Sequence, residues 1–317
     1  MARWIRVSTI AYPPVEAGDN FLDRQLDRMV ELAEQAATAR PRPDLVVFPE
    51  ICVQMGMGSL EVEIEGALPV PGPATDRLAE VAAEHGMYIV VPLFESAGDK
   101  VYNSAVFLGR NGEVVGVYRK YQPTDYEMAA GVTPGTDVPA FELDFGKVGA
   151  AICFDMKFVE VGQILARHGA RMCLFCSMFI AGQRLWHWAR DFGFYVVSSC
   201  TARSYIVDMG GGRYLAQTGR EIAEVASGAV PPIASAVVNM DRCQFHLDYN
   251  GRKLKDLFAK YGQGIEVEIF RPEAHFTLAS LMDDVTVDDL IAEFELETWV
   301  DYLDRSRAVR EQKLAEQ

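Results

Sequence analysis

The sequence has few of the features that mark metal, phosphate or cofactor binding. Its five histidines include no close pair. The C-x₂-C spacing from Cys173 to Cys176 lies inside an apolar run without a second ligand pair, so it indicates core packing rather than zinc. Gly210 to Gly212 lacks the Lys-Ser/Thr of a phosphate loop and predicts a turn. We therefore expect neither a metal nor another cofactor.

Basic residues and long apolar runs are also scarce. The chain has 30 Lys and Arg against 45 Asp and Glu, a formal net charge of −15. Nucleic acids and anionic membranes bind Lys/Arg-rich faces, so neither is an expected partner. No apolar run reaches about 18 residues, and the start of the chain does not resemble a signal peptide. Six cysteines without a disulfide-framework spacing predict reduced thiols and a cytoplasmic location.

Apolar patterns of strand and helix type alternate along the first three quarters of the chain. The predicted strands are Trp4 to Ala11, Asp44 to Phe48, Met87 to Phe94, Gly146 to Cys153, Met172 to Ser177, Phe194 to Cys200 and Ala234 to Met240. The predicted helices are Asp19 to Ala39, Pro71 to His85, Val159 to His168 and Arg184 to Phe192. Asn111-Gly112 predicts a hairpin between Tyr102 to Leu108 and Glu113 to Arg119. This order predicts an α/β fold with buried sheets covered by helices.

The last part of the chain has a different residue pattern. We divide the sequence into a main domain, residues 1–247, and a C-terminal extension, residues 248–317. The extension predicts a helix at 253–260, a strand at 265–270 and one or two helices at 286–317. Residues 283–304 include nine acidic and no basic side chains, which indicates a solvated helix face. We expect this extension to pack on the main domain or on a neighbouring subunit.

Three residues of different chemistry follow predicted strands. Glu50 comes after Pro49, Lys120 ends the second arm of the hairpin, and Cys153 ends a buried strand. The carboxyl ends of strands in open α/β sheets gather where ligands bind, so we expect these side chains to meet. A thiol, a carboxylate and an ammonium can together transfer an acyl group. A helix N-terminus and a nearby lysine predict a lowered pKa for the Cys153 thiol.

Four short motifs carry a family resemblance. They are Val47-Phe48-Pro49-Glu50, Tyr118-Arg119-Lys120-Tyr121, Gly131-Val132-Thr133-Pro134-Gly135 and Gly149-Ala150-Ala151-Ile152-Cys153-Phe154-Asp155. In this order and spacing the chain resembles the nitrilase superfamily, the carbon–nitrogen hydrolases, from about Ile5 to Asp241. The resemblance implies a four-layer αββα sandwich, with a C-terminal extension here, and assembly into a homodimer or larger homo-oligomer.

The resemblance also implies roles for individual residues. Glu50 corresponds to the general base, Lys120 to the oxyanion stabiliser and Cys153 to the nucleophile. Glu127 matches a second glutamate that orients the lysine. The main-chain N–H of Phe154 would complete the oxyanion hole.

The substrate is expected to be a small molecule. Cys-Phe-Asp resembles the amidase and carbamoylase branches, so we expect hydrolysis of an amide or an N-carbamoyl amine through a thioester, with release of ammonia or an amine. Lys157, Met178 and Phe179 are candidate substrate contacts. The alternatives are nitrile hydrolysis, acyl transfer to an amine, and a non-catalytic interaction protein with the same fold.

Overall fold

The computed structural model describes residues 3–219 and 232–317 of the chain. In these ranges the strands are β1 (Trp4–Ile10), β2 (Leu45–Val47), β3 (Tyr88–Ala97), β4 (Lys100–Leu108), β5 (Val114–Arg119), β6 (Ala140–Leu143), β7 (Gly146–Ile152), β8 (Met172–Ser177), β9 (Tyr195–Cys200), β10 (Tyr205–Val207), β11 (Tyr214–Gln217), β12 (Ile233–Asn239), β13 (Arg242–His246), β14 (Ile265–Phe270) and β15 (His275–Ser280). The α-helices are α1 (Phe21–Ala37), α2 (Leu60–Glu65), α3 (Pro73–His85), α4 (Asp125–Ala129), α5 (Val159–Arg167), α6 (Gln183–Phe192), α7 (Leu247–Asn250), α8 (Leu254–Tyr261), α9 (Val287–Phe294) and α10 (Trp299–Ala315).

Two large sheets form the body of the molecule. In the described ranges each has six strands, in the orders β12-β1-β2-β3-β4-β5 and β11-β10-β9-β8-β7-β6. The middle of each sheet is parallel, through β1, β2 and β3 in one and β7, β8 and β9 in the other. The outer strands pair antiparallel. The parallel strands therefore place their carboxyl ends at one edge of each sheet, where polar side chains can gather.

Alternating apolar side chains produce the layers. Leu45 and Val47 of β2 belong to the core that both sheets share, whereas Val46 packs with residues of α1 and α3. Since successive side chains of a strand point to opposite faces, each sheet is buried on both sides. Residues of α5 and α6 cover the second sheet. The predicted α/β sandwich is confirmed, with helices α1 and α3 outside one sheet and α5 and α6 outside the other.

The third sheet lies beyond the two large ones. Its order in the described chain is β13-β15-β14, and it has its own apolar core with residues of α8 and α9. It begins with β13, before residue 248, at which we placed the start of the extension. The Trp299 indole donates a hydrogen bond to the Asp191 carbonyl at 3.0 Å, and Arg167 pairs with Asp304 at 3.0 Å. The last helix, α10, thus contacts the main body of its own chain.

The strands and helices predicted from the sequence agree closely with those of the structure. The hairpin forms as expected between β4 and β5, with the Gly109 N–H donating to the Glu113 carbonyl. All six cysteines lie in the described ranges and are unpaired, and Cys173 and Cys176 are buried in β8. None of the described helices is long and apolar enough to cross a bilayer.

The domain boundary and the homo-oligomer stay predictions. Sedimentation at micromolar concentration tests the homo-oligomer.

Candidate active site

The site lies where β2, β5, β7 and β8 end. Glu50 follows β2 after a proline, Lys120 follows β5, and Cys153 follows β7. The main-chain N–H of Lys120 donates to the Asn103 carbonyl on β4 at 2.8 Å, which continues the ladder and fixes where the lysine leaves the sheet. Glu50 and Lys120 are buried. Charged groups buried together at strand ends make this place a candidate functional site.

Lys120 lies between two carboxylates. Its Nζ is 2.9 Å from Oε1 of Glu50, and 3.0 and 2.8 Å from Oε1 and Oε2 of Glu127. Only 1% of the lysine side chain is exposed, so the ammonium exchanges its water for these oxygens. The structure therefore brings Glu50, which precedes Lys120 by 70 residues, together with Lys120 and Glu127.

Glu127 has a second contact that fixes it. It is the third residue of α4, and its Oε2 accepts the Thr124 main-chain N–H at 2.8 Å while the Thr124 hydroxyl accepts the Glu127 N–H at 3.2 Å. This reciprocal capping box holds the first turn of a helix that is only five residues long. The first turn of α4 thus holds the Glu127 carboxylate in the position where it contacts Lys120.

The loop beside Lys120 depends on a glycine. A Cβ atom on Gly135 would lie 2.3 Å from the Arg119 carbonyl oxygen, too close for any other residue. The Gly135 N–H donates to the Lys120 carbonyl at 2.8 Å. The second glycine of the Gly131–Gly135 motif therefore lets the chain bond to the strand end that carries the lysine.

Cys153 begins a tight turn directly after β7. Its φ of 47° is left-handed, which is uncommon for a residue with a side chain, and Cys153–Lys157 forms a 3₁₀ turn. Ile51, next to Glu50, also has a left-handed φ of 42°. Backbone strain of this kind concentrates where side chains must be held in a functional orientation.

The environment of the Cys153 thiol differs from our expectation. We predicted a lowered pKa, but burial and the nearby Glu50 charge raise the pKa of Cys153 to about 12, although Lys120 and Ser177 act to lower it. The prediction considered the lysine and the turn alone, and it left out the desolvation and the carboxylate that contacts the thiol. A thiol with this raised pKa keeps its proton at neutral pH.

Lys120 and its carboxylate partners change each other's pKa values. Burial alone would lower the pKa of Lys120, but Glu50 and Glu127 raise that pKa above its ordinary value. Burial acts in the opposite direction on Glu127, yet the charge and hydrogen bonds of Lys120 hold the pKa of Glu127 below its usual range. Lys120 is therefore an ammonium and Glu127 a carboxylate at neutral pH.

The family model for carbon-nitrogen hydrolases matches residues 6–232. The chain belongs to this carbon–nitrogen hydrolase family. The predicted membership of the nitrilase superfamily is thereby confirmed.

Curated relatives of this chain have different activities. The bifunctional nitrilase/nitrile hydratase NIT4A of Lupinus angustifolius is 28% identical over 225 residues, covering 62% of this chain and 63% of its own. The omega-amidase NIT2 of Xenopus tropicalis is 27% identical over 238 residues, covering 68% and 83%. The chain thus spans less than two thirds of the length of the lupin protein.

Solved structures share the fold of this chain. The Nit3 protein of Saccharomyces cerevisiae aligns with a TM-score of 0.63 at 21% identity, covering 75% of this chain and 90% of that one. An amidase from Nesterenkonia sp. aligns with a TM-score of 0.62 at 18% identity, covering 81% and 97%. At these identities the likeness extends to the fold alone.

The predicted substrate contacts Lys157, Met178 and Phe179 follow strands β7 and β8, which end at the candidate site. The Met178 N–H donates to Oε2 of Glu50 at 3.1 Å, while half of the Met178 residue is exposed. The Lys157 ammonium lies 5.1 Å from the centre of the Phe179 ring. Phe154 is half-buried and its ring packs edge-on against Phe158. Met178, Phe179 and Lys157 therefore border the site, with Met178 bonded to it through the main chain.

Three buried polar residues of the candidate site were not predicted from the sequence. Asn103 on β4 donates to both Glu50 and Glu127, and Ser177 at the end of β8 acts to lower the pKa of the Cys153 thiol. Asp155 belongs to the motif that contains Cys153, but its hydrogen-bond partners were not predicted. A polar residue in an apolar strand pattern was the available signal for Asn103 and Ser177.

Asp155 connects the Cys153–Lys157 turn with the strand that precedes Lys120. One oxygen accepts the Tyr118 hydroxyl at 2.6 Å and the Ile152 N–H at 2.8 Å, and the other accepts the Gln122 N–H at 2.7 Å. The carboxyl is completely buried. It therefore connects the residue before Cys153 with the segments on both sides of Lys120.

We expect Asp155→Asn to change how stability depends on pH. Burial raises the pKa of Asp155 to about 6 from an unfolded value near 3.8, although its three donors and Lys120 act to lower it. The proton therefore binds the folded state more tightly, and its contribution to stability is lost as pH rises through about 6. The unfolding free energy of the wild type minus that of the variant should fall by about 1 kcal/mol between about pH 5 and pH 7. Denaturant unfolding at both pH values measures it; a constant or rising difference contradicts it.

Proposed function

We propose that this protein hydrolyses the carbon–nitrogen bond of a small amide or N-carbamoyl amine through a cysteine thioester. The observation that carries the proposal is the buried Lys120 ammonium held between Glu50 and Glu127, with Glu50 near enough to raise the pKa of the Cys153 thiol. A site that only binds a partner has no use for such a charged cluster, because burying charges is costly.

The first step is attack on the carbonyl carbon. The Cys153 sulfur forms the new bond as its proton moves to a Glu50 oxygen, and the carbonyl oxygen becomes negative. Because the thiol pKa is raised, this transfer accompanies attack and does not precede it. Glu50 is suited to accept the proton, since it is buried against the thiol and held by hydrogen bonds from Lys120, Asn103 and the Met178 N–H.

The negative oxygen is stabilised by Lys120 and by the Phe154 N–H. The ammonium has three N–H bonds. The nitrogen contacts one oxygen of Glu50 and both oxygens of Glu127, and two N–H bonds can serve all three when one of them is shared. The third remains for the substrate oxygen, while the Phe154 N–H follows directly after the nucleophile. A donor of this kind typically contributes roughly 3–4 kcal/mol in the transition state.

The second half of the reaction returns the enzyme to its starting state. Glu50 gives its proton to the substrate nitrogen, the carbon–nitrogen bond breaks, and ammonia or an amine leaves a thioester on Cys153. Water then attacks this thioester as Glu50 accepts its proton. The carbon–sulfur bond breaks, the acid is released, and the proton returns to the thiol. Glu127 keeps Lys120 in place throughout.

The substrate class is tested by a comparison of products. Purified protein is incubated separately with butyramide, an N-carbamoyl amine and butyronitrile, and ammonia and the organic product are measured. The proposal predicts acid and ammonia from the amide, or amine and ammonia from the carbamoyl compound. Nitrile hydrolysis is the second candidate, because a lupin relative is a bifunctional nitrilase/nitrile hydratase. Turnover of none of the three removes the proposal.

We expect Lys157→Ala to affect substrates with a carboxylate. The Lys157 ammonium is exposed beside Phe179, whose neighbour Met178 bonds to Glu50, so it can reach an anionic group of a bound substrate. An exposed ion pair is worth up to about 1 kcal/mol, so KM for a carboxylate-bearing amide should rise about fivefold. KM for butyramide serves as the control and should not change. Equal changes in both constants contradict this role.

A further inference from the structure

Asn103 contacts more of the site than any role in the sheet requires. Its side-chain nitrogen donates to Oε1 of Glu50 at 3.0 Å and to Oε1 of Glu127 at 2.8 Å. These are two of the three oxygens that Lys120 binds. Its main-chain carbonyl also accepts the Lys120 N–H. Asn103 therefore contacts both carboxylates and the main chain of Lys120, with 1% of its surface exposed.

The charges of this cluster do not balance. Two carboxylates and one ammonium leave a net charge of −1 in a buried place, which favours uptake of a proton. The Asn103 amide supplies two further donors and adds no charge. A second cation in its position would also stabilise the carboxylates, but it would weaken Glu50 as an acceptor for the thiol proton. A neutral donor stabilises both carboxylates by hydrogen bonds without placing a second positive charge beside Glu50.

The two oxygens of Glu50 are not equivalent. Oε1 accepts from both Lys120 and Asn103, which uses its two lone pairs. Oε2 accepts the Met178 N–H at 3.1 Å among the contacts in the described ranges and has acceptor capacity left. We propose that Asn103 is a positioning residue that, together with Lys120, occupies Oε1 of Glu50 and so reserves Oε2 to receive the proton of the Cys153 thiol.

The orientation of the amide supports this role. The Asn103 Oδ1 atom is buried and has no hydrogen-bond partner among the described residues. The reverse orientation would turn this oxygen toward two carboxylates and repel both. An amide kept only for the fold would satisfy both of its ends. The site instead leaves the oxygen unpaired so that the nitrogen can bridge Glu50 and Glu127.

This inference rests on the proposed hydrolysis, and its test uses Asn103→Leu with butyramide as the substrate. Without the bridging donors, the carboxylate pair should take up a proton at higher pH. The acid limb of kcat/KM should then move up by about one pH unit. At the optimum, kcat should fall about 100-fold while KM stays within about twofold, because Asn103 does not touch the substrate. Asn103→Asp keeps the shape and adds a third carboxylate, so its acid limb should move in the same direction.

Ser104→Ala is the matched control. Ser104 is the next residue on β4, and its buried hydroxyl donates to Glu95 at 2.6 Å, away from Lys120. Its loss should lower the thermal midpoint without moving the acid limb. If Asn103→Leu behaves like this control, with an unmoved acid limb, or keeps wild-type kcat, the positioning role is wrong. Amide hydrolysis that survives in Cys153→Ala would instead remove the proposed function, so the two failures are distinguishable.

Discussion

Replacing Cys153 with alanine is expected to abolish release of ammonia from butyramide while the fold remains. The residue supplies the only atom that becomes bonded to substrate, so we expect a loss of roughly 10⁴-fold or more, as in other covalent hydrolases without their nucleophile. The side chain is small and partly exposed, so its removal should cost no more than about 1 kcal/mol of stability. Ammonia assays and thermal unfolding of the same preparation measure both effects.

Cys243→Ala is the control for this prediction. Cys243 is a buried free cysteine on β13, in the third sheet and outside the site. The same substitution there should leave ammonia release at the wild-type level. Retained hydrolysis in Cys153→Ala would show that another group attacks the substrate, and lost hydrolysis in both variants would show a general effect of removing a cysteine.

The second large effect concerns Glu50, for which we expect hydrolysis and thiol reactivity to change in opposite directions. Glu50→Gln removes the proton acceptor and should lower kcat for butyramide by about 10²- to 10⁴-fold. It also removes the negative charge that raises the pKa of Cys153, while the Lys120 charge, which lowers that pKa, remains. More thiolate is then present near neutral pH, so alkylation of Cys153 by iodoacetamide should become faster.

The labelling can be read at one residue. Trypsin cleavage after Lys147 and Lys157 releases a peptide whose only cysteine is Cys153. The exposed Glu266 on β14 provides the control, since Glu266→Gln should leave both the kinetics and the labelling unchanged. Slower alkylation of the Glu50→Gln protein at every pH would contradict the charges that we assign to the thiol environment.

Much of the architecture could be predicted from the sequence because the signals are local. The alternating run through Val148, Ala150 and Ile152 predicts the buried strand that became β7, and Asn111-Gly112 predicts the hairpin. Short elements such as α4 and β10 were missed, since a few residues contain no complete period. Their formation depends on contacts made elsewhere, such as the capping box at Thr124.

The residues of the candidate site could be named from the sequence, but their electrostatic environment could not be predicted. The strand ends and the family motifs led to Glu50, Lys120, Glu127 and Cys153. The sequence does not show how deeply a thiol is buried or which carboxylate approaches it, and the predicted direction of the Cys153 pKa was wrong for that reason. Asn103 was missed because a lone amide within a strand has no local pattern that relates it to residues 50 and 127.

The account depends most on a covalent bond between substrate and Cys153. Wild-type protein mixed with excess butyramide is quenched in acid at a series of times, digested with trypsin and analysed by mass spectrometry. The account predicts a butyryl group on the peptide that contains Cys153 during turnover, and none on that peptide before substrate is added. Ammonia released while this peptide stays unmodified at every time, or an acyl group on another residue, contradicts it.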